Sequence, residues 1–93
     1  MDLELVGKRC VVTGSSAGIG FSVAISLLRE GAKVMLTGRN RGRLIRALKK
    51  LQAVYGRDVV FPFSGDLTKE DTFSRLNNEI KEKMKGLDVL VCN

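Results

Sequence analysis

The chain has 93 residues, 44% of them hydrophobic, and 16 Lys+Arg against 10 Asp+Glu give a formal net charge of +6. That length allows one small domain, the apolar content excludes a disordered chain, and no apolar run approaches the ~20 residues needed to span a bilayer. The acidic opening Met1-Asp2-Leu3-Glu4-Leu5 has neither the basic n-region nor the long apolar h-region of a signal peptide, so a soluble cytoplasmic protein is expected.

Arg9–Thr13, with Cys10-Val11-Val12 at its centre, reads as a first strand. The glycine-rich stretch Thr13-Gly14-Ser15-Ser16-Ala17-Gly18-Ile19-Gly20 follows it. Gly20 to Glu30 reads as a helix with Val23, Ala24, Leu27 and Leu28 at helical spacing, and Gly31 supplies a left-handed stop. Lys33–Thr37 is a second strand. From about Asn40 to Tyr55 a second helix places Leu44, Leu48, Leu51 and Tyr55 on one face and Arg43, Arg46 and Lys50 on another. Val59–Phe63 is a third strand, and Pro62 within it cannot donate to a ladder, so it belongs on a sheet edge. Thr68-Lys69-Glu70-Asp71 reads as a capping box with Thr68 as N-cap. The helix it opens is expected to bury Phe73, Leu76, Ile80 and Met84 and to stop at Gly86. Asp88–Cys92 is a fourth strand. Cys10 and Cys92 each fall in a Val/Leu-rich strand candidate and read as small buried hydrophobes, not as a disulfide. No linker or repeat interrupts the pattern.

A β-α-β-α-β-α-β pattern with right-handed crossovers gives a parallel sheet of order 3-2-1-4 with helices on both faces. This is the first half of a Rossmann-like doubly wound α/β fold, and it puts the Pro62 strand at an edge.

Strand, glycine loop and helix in that order place a diphosphate at a helix N-terminus, where unpaired N–H groups and the positive end of the macrodipole meet negative charge. Gly14 allows a sharp exit from the strand, and Gly18 and Gly20 remove Cβ atoms where a pyrophosphate approaches the backbone. Gly14 through Gly20, with Ser15, Ser16, Ala17 and Ile19 between the glycines, are therefore candidate dinucleotide-binding residues. A dinucleotide site usually carries an acid some twenty residues further on, bonding the adenosine 2′-hydroxyl of NAD. No acid occurs between Glu30 and Asp58; Gly38 takes that position and Arg39-Asn40 follow. A guanidinium there can hold a 2′-phosphate through two charge-assisted bonds, which favours NADP over NAD. Arg41, Arg43 and a hydroxyl from Ser15 or Ser16 are candidate helpers.

The Gly-x-x-x-Gly-x-Gly spacing after Thr13, in its strand–helix setting, closely resembles the short-chain dehydrogenase/reductase family, 3-oxoacyl-carrier-protein reductase-like members included, over the whole chain. The resemblance implies that Asp66 in Gly65-Asp66-Leu67-Thr68 accepts from the adenine amine while Leu67 packs on the ring. Asp66 can also cap the following helix. It implies, too, that Asn93 in Val89-Leu90-Val91-Cys92-Asn93 stabilises the strand end near the adenosine ribose; Cys92 stands where the family commonly has Asn. The activity implied is hydride transfer between NADP(H) and a carbonyl or secondary alcohol, assisted by a Ser and a Tyr-x-x-x-Lys pair. The single tyrosine, Tyr55, is followed four residues later by Val59, and there is no histidine. No catalytic residue and no metal ligand set can be named. Residues 1–93 are thus expected to be a partial NADP-binding domain, truncated before the catalytic half, of a protein that is a homo-oligomer at full length. The isolated fourth strand is expected to be an open apolar edge and an association hazard.

Two other classes compete. One is a nucleotide-binding module without turnover. The other is a nucleic-acid binder using the cations Arg39, Arg41, Arg43, Arg46, Lys49, Lys50 and Arg57, disfavoured because aromatic residues are only 5% of the chain. The expected partners are a dinucleotide and a small carbonyl or alcohol, with neither nucleic acid nor membrane.

Overall fold

The computed structural model describes residues 5–93, so four residues of the acidic opening lie outside the described part. Seven elements alternate along it: β1 (Arg9–Val12), α1 (Gly18–Arg29), β2 (Lys33–Gly38), α2 (Arg41–Tyr55), β3 (Val60–Ser64), α3 (Glu70–Met84) and β4 (Val89–Val91). All pairings are parallel and the sheet order is β3-β2-β1-β4, as the sequence pattern predicts. Val12 lies opposite Leu36 on one side and Val91 on the other, so β1 and β4 end level while β2 runs two residues further, to Gly38. The order reverses direction at β1, between β2 and β4. In an open parallel sheet, that reversal leaves a crevice beyond the carboxyl ends of the strands.

Strands buried on both faces read as unbroken apolar runs, and alternate residues divide between two cores. Cys10, Val12, Val34, Leu36 and Val60 face α1 and α2, meeting Ala24, Leu28, Leu44, Ala47, Leu48 and Leu51. Val11, Met35 and Phe63 face the other way, onto Leu76, Ile80 and Met84 of α3. β3 is an edge strand, with Pro62 opposite Leu36. The Val59 carbonyl accepts from Val34 N at 2.8 Å, while the Val60 carbonyl accepts from the Gln52 side-chain amide at 3.1 Å.

At the opposite end of the sheet from the glycine loop, Arg9 clasps the start of β4. Its Nε and Nη2 donate to the two Asp88 carboxylate oxygens at 2.9 and 3.1 Å, and its Nη1 donates to the Lys85 carbonyl at 2.9 Å. Arg9 N also donates to Asp88 Oδ2, at 2.8 Å. The side-chain and backbone bonds from Arg9 hold the Asp88 carboxyl well below the usual carboxylate range.

Five expectations are corrected. α1 starts two residues early, at Gly18. Thr68 is not an N-cap: α3 starts at Glu70 after Lys69, with no side-chain cap bond, because the Thr68 N–H and hydroxyl are both drawn to Asp66 Oδ1, at 3.0 and 2.7 Å. Phe73 is 48% exposed while Thr72 is buried. The two residues share the helical spacing to Leu76, Ile80 and Met84, and space decides between them: a Cβ at Gly65 would meet the Thr72 methyl at 2.7 Å. α3 ends at Met84, with Lys85 itself left-handed (φ 65°) before Gly86. Finally, Cys92 is exposed beyond the end of β4, unlike the buried Cys10; both thiols are free.

Candidate functional site

The crevice predicted by the strand order is a cleft of about 670 Å³, walled by the glycine loop, the ends of β2 and β3, and Cys92-Asn93 after β4. Hydrogen bonds on both sides fix the loop that forms its floor. Towards β2, Ser15 replaces the strand that ended at Val12. Its N–H donates to the Thr37 carbonyl at 2.9 Å, its hydroxyl accepts from Thr37 N at 2.9 Å, and that hydroxyl donates to the Val12 carbonyl at 2.7 Å. The Thr37 hydroxyl in turn donates to the Val12 carbonyl at 3.2 Å and accepts from Gly14 N at 3.1 Å. Towards β4, Asn93 N donates to the Thr13 hydroxyl at 2.8 Å and Asn93 Nδ2 to the Gly14 carbonyl at 3.2 Å.

This anchoring uses the polar groups of the loop's first half and leaves those of its second half. α1 begins after Ala17 with no side-chain cap and no acid in its first turn. An α-helix leaves its first four N–H groups without an intrahelical acceptor, at the positive end of its macrodipole. A cap or an acid would satisfy them; this helix has neither. Gly18 adopts φ 61°, and nothing lies within 4 Å of where its Cβ would be. The space beside it is open to a ligand.

The predicted site residues separate into groups. Gly14, Ser16, Ala17, Arg39, Asn40, Asp66, Leu67 and Asn93 line the cleft together. Gly18 and Ile19 stand at the head of α1, Ile19 with 75% of its surface exposed. Two residues have other duties. Ser15 is fully buried and both its N–H and its hydroxyl are committed to the strand ends, so it offers nothing to a 2′-phosphate. A Cβ at Gly20 would run into the Gly14 carbonyl and come within 2.9 Å of Asn93 Nδ2, so its smallness serves helix–loop packing. Asn40 borders the cleft, but its Oδ1 caps α2 by accepting from Arg43 N at 2.9 Å.

At the far end of the cleft the charges are arranged around Asp66. Its bonds from Thr68, and then Arg39 beside it, lower the carboxyl from its ordinary range, keeping it an anion that accepts. Gly38, where an acid would mark an NAD site, has Ser16 Oγ 3.1 Å from its Cβ position. Arg43 and Phe73 also line the cleft. Hydrophobicity alone assigns Phe73 to the core, and so does not reveal its place on the cleft wall.

The likeness to known proteins matches this geometry. The family profile described as short chain dehydrogenase matches residues 8–93. A glucose 1-dehydrogenase of Gluconobacter oxydans (strain 621H) is 46% identical over 90 residues, covering 97% of this chain and 34% of that protein. A 3-ketodihydrosphingosine reductase of Bos taurus is 36% identical over 94 residues, covering 96% of this chain and 28% of that protein. Among solved structures, L-sorbose reductase from Gluconobacter frateurii, complexed with NADPH and L-sorbose, superimposes with a TM-score of 0.90 at 31% identity, over 97% of this chain and 34% of that one. The chain thus spans about a third of the length of the relatives it matches. With its 3-2-1-4 sheet, its anchored glycine loop and a profile match running from residue 8 to residue 93, the chain belongs to the short-chain dehydrogenase family.

Proposed function

We propose that this chain is the NADP-binding portion of a short-chain oxidoreductase that transfers hydride between NADP(H) and a carbonyl or secondary alcohol. The observation that carries the reading is the uncapped start of α1 beside a cleft that Arg39 also lines. On this reading the free N–H groups from Ser16 to Ile19 hold the diphosphate, and Gly18 keeps its approach open. Arg39, helped by Arg43, takes the 2′-phosphate. Asp66 accepts from the adenine amine, Leu67 and Phe73 supply apolar surface for the ring, and Asn93 holds the loop in place beside the ribose. The nicotinamide group, when bound, supplies or accepts the hydride.

The absence of an acid at Gly38 and the presence of Arg39 support NADP, as does the NADPH complex of the L-sorbose reductase. This chain has no Tyr-x-x-x-Lys pair, so no residue of it is assigned to proton transfer or substrate recognition. Calorimetric titration of the wild type and Arg39→Ala tests it. NADPH should bind the wild type more tightly than NADH, and the substitution should cost NADPH about 1–3 kcal/mol, the range for losing a charge-assisted hydrogen-bonded contact. Equal losses for the two dinucleotides would remove the phosphate role of Arg39. No heat from either would remove the cofactor reading.

A further inference from the structure

Arg39 is not idle in the cleft: its Nη2 lies 3.3 Å from Asp66 Oδ2. The two partners are held very differently. Asp66 is fixed through its other oxygen, Oδ1, by the Thr68 N–H and hydroxyl, while the Arg39 side chain is 77% exposed. The acid is therefore a stationary acceptor and the guanidinium the partner free to swing. Oδ2 is the oxygen that Thr68 leaves available, and the Arg39 guanidinium lies beside it.

We propose that the Arg39–Asp66 ion pair makes Arg39 a selector against dinucleotides that lack a 2′-phosphate, beyond any attraction it has for that phosphate. The inference rests on the reading of the cleft as a dinucleotide site. An adenine amine donating to Asp66 Oδ2 competes with the guanidinium for that oxygen, and in the proposed mode displaces it. A ligand bearing a 2′-phosphate gives the displaced guanidinium a new anion at once. A ligand with a bare 2′-hydroxyl breaks the same pair and returns nothing, so its affinity falls by whatever the pair contributes. Specificity is a difference of affinities, and here the same side chain acts on both terms. The pair is exposed, and such pairs are worth little, so the penalty on the unphosphorylated ligand should be about two- to fivefold.

The consequence is counterintuitive: removing a positive charge from the site should improve the binding of a negatively charged ligand. NADH and NADPH are titrated into the full chain carrying no substitution, Arg39→Ala, Asp66→Asn, or both. Asp66→Asn keeps a side-chain carbonyl that can accept from Thr68, and melting curves check that every variant folds. Arg39→Ala should tighten NADH about two- to fivefold while weakening NADPH. The same change made on top of Asp66→Asn should leave NADH unchanged, because the pair is already absent. If Arg39→Ala leaves NADH binding unchanged or weaker while NADPH still binds and is weakened, the selector role is overturned and the dinucleotide site stands. An equal NADH gain in the Asp66→Asn background also overturns it, since the effect would then not pass through Asp66. If no variant binds either dinucleotide, the site and the selector fall together.

Discussion

Ser15→Ala isolates the buried joint between the glycine loop and β2. The Ser15 hydroxyl is fully buried, donates to the Val12 carbonyl at 2.7 Å and accepts from Thr37 N at 2.9 Å. Alanine fits the space but leaves the Thr37 N–H without that acceptor where water does not reach. The Val12 carbonyl keeps the Thr37 hydroxyl as a donor, at 3.2 Å, so only one group is stranded. Leaving one buried donor unsatisfied costs about 1–3 kcal/mol. For a chain of this size each kcal/mol moves the melting temperature by about 4–8 °C, so a mid-range cost of about 2 kcal/mol lowers Tm by roughly 8–16 °C. Circular dichroism melts of the wild type, Ser15→Ala and Ser16→Ala measure this directly. Ser16, half-buried at the cleft wall, serves as the neighbour control and should stay within about 0.5 kcal/mol of the wild type. A Ser15→Ala melt within about 3 °C of the wild type would refute the assignment of Ser15 to the loop's anchorage.

Gly20→Ala drives a Cβ into the Gly14 carbonyl; overpacking of this kind costs about 1–3 kcal/mol and should lower both Tm and dinucleotide affinity, whereas loss of affinity with unchanged Tm would contradict the packing role. Gly38→Asp restores an acid at the end of β2 and pushes on Ser16 Oγ; dinucleotide titrations should show NADPH weakened relative to NADH, and an unchanged ratio would count against the cleft's orientation. Asp88, whose folded carboxyl is held below its ordinary value by Arg9, contributes stability that is present above the unfolded pKa of about 3.9 and is lost as pH falls through the lower folded value. Urea unfolding of the wild type and Asp88→Asn should therefore show a stability gap at pH 7 that narrows below about pH 4. A gap independent of pH would mean that the carboxylate charge is not what Arg9 holds.

The order of elements and the sheet topology were legible in the sequence because short Val/Leu runs alternate with helical spacing, and right-handed crossovers leave few arrangements. Pro62 located an edge through a missing donor. Where sequence pattern and structure differ, the cause is local. At Thr68, the capping-box pattern competes with an Asx turn, and the Asp66 carboxylate wins because it reaches two donors at once. At Phe73, helical spacing admits either that residue or Thr72, and only the tight approach of Gly65 excludes the larger one. The glycines of the loop were recognised as a group, but a motif cannot say which carbonyl a missing Cβ spares; that took the position of Gly14 beneath Gly20. The Arg9–Asp88 clasp joins residues 79 apart, and no spacing rule in the sequence connects them.

At the β3 margin of the sheet, local chemistry works against strand addition. Because successive residues of a strand turn opposite ways, and Val59 turns towards β2 while Val60 turns outward to Gln52, Pro62 turns outward too. An extended segment arriving on that flank would find one carbonyl already engaged by an amide and one amide hydrogen that does not exist. Adding a strand on that flank is thereby impeded.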